Sequence, residues 1–144
     1  MTRIDFHSNV ADKIHYTCRL VRKARNQPKA QPLVILLENR EQLNQLDNEL
    51  WVFSDIDFIA HVSADHPLAA QTPVLLTDSE HIKLPSYPIL INLSRNTPAQ
   101  FARYERVFEI ISQDPLDAQA GRVRYGFYKQ HGHTLNHIVA KASE

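Results

Sequence analysis

Glycine is rare in this chain of 144 residues, which contains only Gly121, Gly126 and Gly132. None of the three follows a predicted strand. Loops that cradle nucleotide phosphates need glycine at that place, because their backbone N–H groups must approach the phosphate closely. The sequence therefore excludes a dinucleotide fingerprint and a P-loop, and we expect no cofactor.

Cysteine and long apolar runs are equally scarce. Cys18 is the only cysteine, so the chain can form neither an internal disulfide nor a multi-cysteine metal site. It lies on the apolar stripe in the middle of a predicted helix, which argues against a catalytic thiol. The N-terminus has no signal-peptide pattern, and no run of about eighteen apolar residues occurs. We expect a cytoplasmic protein.

The 16 basic and 16 acidic residues balance overall but are segregated along the chain. Residues 13–37 contain six basic residues and no acid, whereas residues 38–80 contain nine acids and a single basic residue, Arg40. Residues 118–143 contain four basic residues and again no acid. If the fold brings both basic end segments onto one face, that face can bind an acidic partner while the molecule stays neutral.

Hydrophobic periodicity predicts five strands with helices between them. The strands are expected at 2–7, 33–37, 73–77, 88–93 and 106–111, and the helices after Ser8 and Asn9, at 40–51, at 98–104 and at 115–131. Asp114 is expected to cap the last helix and Gly132 to end it. This order favours a single Rossmann-like domain over residues 1–144, with three α/β/α layers and a mostly parallel five-stranded sheet that lacks a nucleotide site.

The last predicted helix combines basic and aromatic residues. Helical spacing places Arg122, Tyr125 and Lys129 on an outward stripe, and Val123 and Phe127 on a stripe that faces the sheet. Guanidinium, phenol and ammonium groups on one stripe suit a peptide carboxylate that lies beside an apolar side chain. A solvated charged face explains the same residues, so both interpretations stay open.

Aromatic residues cluster at the start of an irregular stretch, residues 52–72. Trp51, Phe58 and His61 either belong to the core or form an anchor for a protein partner, since Trp on an irregular segment is a common interface hot spot. The residues alone favour neither interpretation.

Two chemical alternatives and one binding alternative also remain. Asp78, Glu80 and Lys83 can hold a metal and position a water, as in a degenerate metal-dependent nuclease. Three histidines near the C-terminus can in principle meet on zinc, although no cysteine or carboxylate completes the set; they are His131, His133 and His137. A direct nucleic-acid-binding module is the weaker alternative, because the acids equal the bases in number.

Four segments together resemble the chi subunit family of the bacterial DNA polymerase III holoenzyme. They are "LDNELW", "FIAH" seven residues after the tryptophan, "PILINL", and the ending "GRVRYGFYKQHGHTLNH". The resemblance covers the full length and implies a noncatalytic α/β accessory subunit, associated with the clamp loader and without a metal or cofactor. It implies two partners, the acidic C-terminal tail of single-stranded DNA-binding protein and the psi subunit. DNA would be contacted only indirectly.

The resemblance also implies which residues bind these partners. The positions that match the family's tail-binding helix are Arg122, Tyr125 and Tyr128, with Arg124 and Lys129 as supporting charges. The positions that match its partner surface are Trp51, Phe58 and His61, used for psi and for a competing helicase-like protein. The tail carboxylate is expected at Arg122, its last aromatic side chain beside Tyr125, and its aspartates near Arg124, Lys129 and the basic first helix.

Three positions depart from the family pattern. Gly126 and Ala118 stand where relatives usually carry basic residues, and Ala60 stands where they carry proline. Weaker or replaced tail contacts are therefore expected at the last helix. Gly121 and Gly126 also lower helix stability by about 1 kcal/mol each unless a close backbone approach requires glycine.

Overall fold

The computed structural model describes residues 2–52 and 59–141. The strands are β1 (Arg3–Val10), β2 (Leu33–Leu36), β3 (His61–Ser63), β4 (Val74–Thr77), β5 (Ile89–Asn92), β6 (Arg106–Ser112) and β7 (Thr134–Val139). The helices are α1 (Lys13–Arg25), α2 (Arg40–Val52) and α3 (Pro115–Gln130). Within this part of the chain, all seven strands pair in parallel in one sheet, in the order β3-β4-β2-β5-β6-β1-β7.

Helices lie on both faces of the sheet, which confirms the predicted Rossmann-like α/β fold. Helices α1 and α2 cover one face, where Cys18 and Leu46 are buried in a common core. Helix α3 covers the other face, where Tyr128 packs with Phe6 and Ile111. Strands β2 and β4 are buried at every residue, as expected for parallel strands covered on both sides.

The strand count of five was too low. The two additional strands, β3 and β7, lie at the two edges of the described sheet. Strand β3 has only three residues and lies inside the stretch expected to be irregular, whereas β7 reads "TLNHIV" and is mostly exposed. An edge strand buries less apolar surface than a central strand, so neither segment contains the apolar run from which the other strands were predicted.

Two helix boundaries also differ from the prediction. Strand β1 continues through Ser8 and Asn9 to Val10, so α1 begins later, and the side chain of Asp12 accepts the capping hydrogen bond from the His15 N–H at 3.1 Å. The segment 98–104 forms only a short 3-10 turn, Phe101–Arg103.

The boundaries of α3 are confirmed. The Asp114 side chain accepts from the Leu116 N–H, Pro115 occupies the first turn, and Gly132 adopts a φ of +78° just beyond the helix. Val123 was placed on the wrong side, since it is 69% exposed. The stripe that α3 buries consists instead of Asp117, Gly121, Arg124 and Tyr128.

The two basic end segments do not share a face. Helix α1 and helix α3 lie on opposite sides of the sheet, so the cations of α1 are separated from those of α3 by the core, except Lys13, which reaches Asp117 at the start of α3. The condition for a common basic face is therefore not met, and the expected contact of an acidic ligand of α3 with the exposed cations of α1 does not fit this arrangement. Within the described residues, no helix combines the length and apolarity needed to cross a lipid bilayer.

Candidate functional site

A groove of about 560 Å³ runs between α3 and the carboxyl ends of β1 and β6. We call it the α3 groove. Its wall on α3 includes Arg122, Tyr125 and Gly126, and the sheet contributes Phe6, Ser8, Ile111 and His137. The groove thus combines an apolar floor with an arginine at its rim.

Aromatic contacts form the floor of the α3 groove. The ring of Tyr125 meets Phe6 edge-on with 5.0 Å between centroids, and the centroid of the His137 ring lies 6.1 Å from that of Tyr125. The imidazole of His137 is held by a 2.7 Å hydrogen bond between its Nε2 and the hydroxyl of Ser8. Tyr125 is half-buried, so part of its ring is left to contact a ligand.

The two glycines of α3 have different surroundings. A Cβ at Gly121 would lie 2.6 Å from Cδ1 and 2.9 Å from Cγ1 of Ile111, so the helix reaches its position on β6 only because this residue has no side chain. At Gly126 a Cβ would meet no atom within 4 Å. Gly121 is therefore required by packing, whereas Gly126 leaves the groove open beside Tyr125.

The charged residues of α3 divide into exposed and buried ones. Arg122 and Lys129 are exposed, and Arg122 borders the groove. Arg124 and Tyr128 are completely enclosed by the protein, with 1% and 0% of their surfaces exposed. Their prediction as tail-binding residues is corrected, because no peptide can reach either side chain in this structure.

Both buried residues of α3 bind the same carboxylate. Nε of Arg124 donates to Oε1 of Glu109 at 2.9 Å, and the hydroxyl of Tyr128 donates to Oε2 at 2.7 Å. Asn92 donates to Oε1 from β5, also at 2.9 Å. Burial and the neighbouring Glu109 carboxylate raise the pKa of Tyr128 and keep it a donor. We assign Arg124 and Tyr128 to fixing α3 on the sheet.

Glu109 binds two of the predicted site residues, Arg124 and Tyr128, but was not itself predicted from the sequence. It lies in the predicted strand "RVFEII", where apolar residues flank the acid on both sides. A fully buried carboxylate must be paired, so an acid at such a position signals a basic or hydroxyl partner on a neighbouring element. An acid at position 109 therefore indicates that Arg124 is buried as its ion-pair partner and is not exposed to solvent.

A second ionic cluster fixes the beginning of α3. Asp117 accepts a hydrogen bond from the Ser112 N–H at 2.7 Å and forms a 3.1 Å ion pair with Lys13. Burial alone would raise the pKa of Asp117, but the Ser112 N–H and the Lys13 ammonium hold it below its ordinary value. Arg95 also approaches this carboxylate, at 3.5 Å. The first turn of α3 is thereby tied to α1 and β6.

The predicted partner surface is only partly described. Trp51 lies in the last turn of α2 and is 54% exposed, whereas His61 is buried, with 4.7 Å between the two ring centroids. Both nitrogens of His61 contact oxygen atoms, of Ile59 and of Asp47. His61 therefore supports Trp51 and does not itself offer a contact surface, which corrects its predicted role. Phe58 lies outside the described residues.

The carboxylates considered for metal chemistry have partners of their own. Asp78 lies 3.4 Å from the guanidinium of Arg40, and Glu80 accepts from the Ala99 N–H at 2.7 Å. No group of three or more His, Cys, Asp or Glu residues among 2–52 and 59–141 is arranged to hold a metal ion. Cys18 is buried, and this burial raises the pKa of its thiol to about 12.

The three C-terminal histidines lie in separate environments. Nδ1 of His131 donates to the carbonyl of Phe127 at 2.8 Å and caps the end of α3. His133 packs against Phe101 with 4.9 Å between ring centroids, and His137 contacts Ser8 in the groove. His131 therefore caps the end of α3, and His137 forms part of the floor of the α3 groove.

Comparison with known proteins adds two sequence matches. Residues 1–136 match the protein family described as DNA polymerase III chi subunit, HolC. The chain is also 31% identical over 143 residues to the DNA polymerase III subunit chi of Pseudomonas aeruginosa, and the alignment covers 94% of each chain. The match thus extends over both the α3 groove and the Trp51 region.

Two solved structures resemble the fold at low sequence identity. One is a chain in the crystal structure of the E. coli DEAD-box protein SrmB bound to regulator of ribonuclease activity A, with a TM-score of 0.56 and 15% identity over 97% of this chain and 91% of that chain. The other is a chain in the structure of the S. cerevisiae Dbp5 C-terminal domain bound to Gle1, with a TM-score of 0.61 and 9% identity over 96% and 90%. These similarities concern the fold alone.

Proposed function

The chain belongs to the DNA polymerase III chi subunit family, and from this premise we propose that it is a noncatalytic accessory subunit of the holoenzyme, associated with the clamp loader. In this role it binds the acidic C-terminal tail of single-stranded DNA-binding protein in the α3 groove. It pairs with a psi subunit through the surface around Trp51. The protein thereby tethers the polymerase to template DNA that is already coated.

The shape of the α3 groove is the main observation that supports binding of the tail. A terminal carboxylate needs a cation at the rim, and Arg122 is exposed at that place. An aromatic side chain next to that carboxylate needs an apolar recess, which Phe6, Tyr125 and Ile111 line. One groove thus offers both parts of such a peptide end.

The charge distribution around the groove supports the same ligand. Residues 118–143 contain no acid, so no carboxylate of this segment repels an aspartate of the tail. Lys129, one helical turn beyond Tyr125, is the cation that faces the aspartates. Arg124 has no part in this contact because Glu109 neutralises it inside the core. Fewer cations act on the tail than the family pattern implied.

The surface around Trp51 supports pairing with a second protein. A half-exposed tryptophan that packs against a buried histidine suits insertion into a recess of a partner protein. Val52 beside it is also exposed, at 69%. A helicase-like protein that uses the same anchor would compete with psi for it.

The expected affinity for one tail is modest. A short peptide with one apolar anchor and one charge-assisted contact binds at about micromolar strength, or about −8 kcal/mol. Several tails on one oligomer raise the apparent affinity by effective concentration. The tether is therefore strong on coated DNA and weak for a single free tail.

Titration of a fluorescent tail peptide tests the proposal. Arg122→Ala removes charge-assisted hydrogen bonds worth about 1.5–3 kcal/mol, so affinity should fall about tenfold or more. Arg19→Ala is the matched control, since Arg19 is also exposed but lies on α1, across the sheet. Equal affinity of the Arg122→Ala variant and the wild-type protein would contradict binding of the tail in the α3 groove.

A further inference from the structure

Helix α1 and the turn after it contain basic residues and no acid. Arg19, Lys23 and Lys29 are exposed along α1 and the turn after it, and none of them forms a salt bridge within the described residues. Arg3 and Arg106, at the starts of β1 and β6, extend this surface over the sheet. We call these five residues the α1 face.

Contacts between the side chains show that the sheet arginines and α1 belong to one surface. The guanidinium of Arg106 lies 4.5 Å above the ring of Phe108, and Phe108 lies 5.8 Å from His7 between ring centroids. His7 in turn contacts the hydroxyl of Tyr16 on α1. Lys23 lines the same small hollow as His7 and Tyr16. These contacts place Arg106, Arg19 and Lys23 around one region, and Lys29 follows in the turn after α1.

Helix α2, on the same side of the sheet, contains the acids Glu41, Asp47 and Glu49, but within the described residues none of them pairs with a cation of the α1 face. Asp5 is the carboxylate that faces Arg3 and Arg106, at 3.6 Å and 2.8 Å respectively, so two arginines share one acid. Burial lowers the pKa of His7, and the positive charges of Arg106 and Lys23 lower it further against the opposing effect of Asp5. Arg106 and Lys23 therefore both act on the same buried imidazole, which places them around one region of this side of the sheet.

The shape of the α1 face differs from that of the α3 groove. Its hollow measures about 210 Å³, against about 560 Å³ for the groove. A peptide that binds by one anchored side chain needs a recess of the larger kind. The cations instead follow a helix about 20 Å long, which suits a ligand with a negative charge at every repeat unit.

Two guanidinium planes add a second feature. Arg19 lies 5.6 Å above the ring of Tyr16, and Arg106 lies above the ring of Phe108. Arg19 is exposed, and the side chain of Arg106 remains 42% exposed. A planar cation supported from below can stack an unpaired base on its outer surface, and only a single strand offers such bases.

We propose that the α1 face binds single-stranded DNA, with Arg3, Lys23 and Lys29 on phosphates and the stacked Arg19 and Arg106 under unpaired bases. This contact is independent of the tail in the α3 groove, because the two surfaces lie on opposite sides of the sheet. It replaces the expectation that DNA is contacted only indirectly. The protein would then hold the coating protein with one side and bare template with the other.

Fluorescence anisotropy with a labelled oligothymidylate of about twenty nucleotides, at about 50 mM salt, tests the proposal. The double variant Arg19→Glu, Lys23→Glu should bind at least about tenfold more weakly than wild type. The matched control Arg122→Glu, Lys129→Glu changes net charge equally on the other side and should stay within about twofold of wild type. With about three phosphate contacts, log affinity should fall against log salt with a slope of about −2.

Three results would overturn the inference. The first is no binding by the wild-type protein up to about 100 µM at low salt. The second is an equal loss in both double variants, which would reflect net charge rather than this face. The third is binding of polyglutamate or of the duplex as tight as that of the single strand, which would assign the face to an acidic protein or to paired DNA. Thermal unfolding of both variants verifies that they are folded.

Discussion

Replacing the two α3 glycines by alanine separates packing from helix propensity. Each substitution favours the helix by about 1 kcal/mol, because alanine loses less backbone entropy than glycine. At Gly126 nothing lies within 4 Å of the new methyl group, so Gly126→Ala should stabilise the protein by about that amount. At Gly121 the methyl group would lie 2.6 Å and 2.9 Å from two atoms of Ile111, and overpacking of this kind costs about 1–3 kcal/mol.

The propensity gain is common to both variants, so the difference between their free energies of unfolding isolates the contact with Ile111. We expect Gly121→Ala to be less stable than Gly126→Ala by about 1–3 kcal/mol. Urea unfolding followed by circular dichroism measures both values, and an unchanged slope with denaturant shows that the comparison is valid. Equal stabilisation by the two substitutions would refute the close approach of α3 to β6.

Three further predictions concern the groove and its supports. Gly126→Lys restores a cation beside Tyr125 and should tighten tail binding about two- to fivefold in the same peptide titration, whereas a looser complex would contradict the position of the groove. Tyr128→Phe leaves Glu109 with one donor fewer in the core and should lower the free energy of unfolding by about 1–3 kcal/mol in urea, and an unchanged value would count against this network. Because the folded pKa of Asp117 lies below its unfolded value of about 3.9, its ion pair stabilises the protein above that pH and is lost as pH falls through the folded pKa. Asp117→Asn should therefore lose less stability than wild type between neutral pH and about pH 3, and an equal loss would argue against this pair.

The sequence is most informative about α3. Asp114, Pro115 and Gly132 define its ends through chemistry that acts locally, namely a side-chain cap, a missing N–H and a left-handed residue. The central strands are equally predictable because their apolar runs are continuous. Strand β7 is not predictable in this way because it lies at the edge of the sheet and has no continuous apolar run. Its hydrogen bonds to β1, rather than apolar burial, hold it in place.

The roles of the α3 side chains were harder to predict. Helical spacing divides the residues of a helix into stripes but does not show which stripe faces the sheet. A buried stripe that contains glycine has few apolar side chains, so a count of apolar residues does not identify it. Gly121, Arg124 and Tyr128 form that stripe, whereas the apolar Val123 is exposed. The buried Arg124 depends on Glu109, a residue of β6 whose proximity only the fold reveals.

The central claim is that Arg122 receives the terminal carboxylate of the tail. A cycle of four titrations tests it most directly, using tail peptides with a free or an amidated C-terminus against wild type and Arg122→Ala. Amidation should weaken binding to wild type about tenfold and should have almost no effect on Arg122→Ala, because the partner of the carboxylate is already gone. An equal loss on both proteins would contradict the claim and place the carboxylate elsewhere.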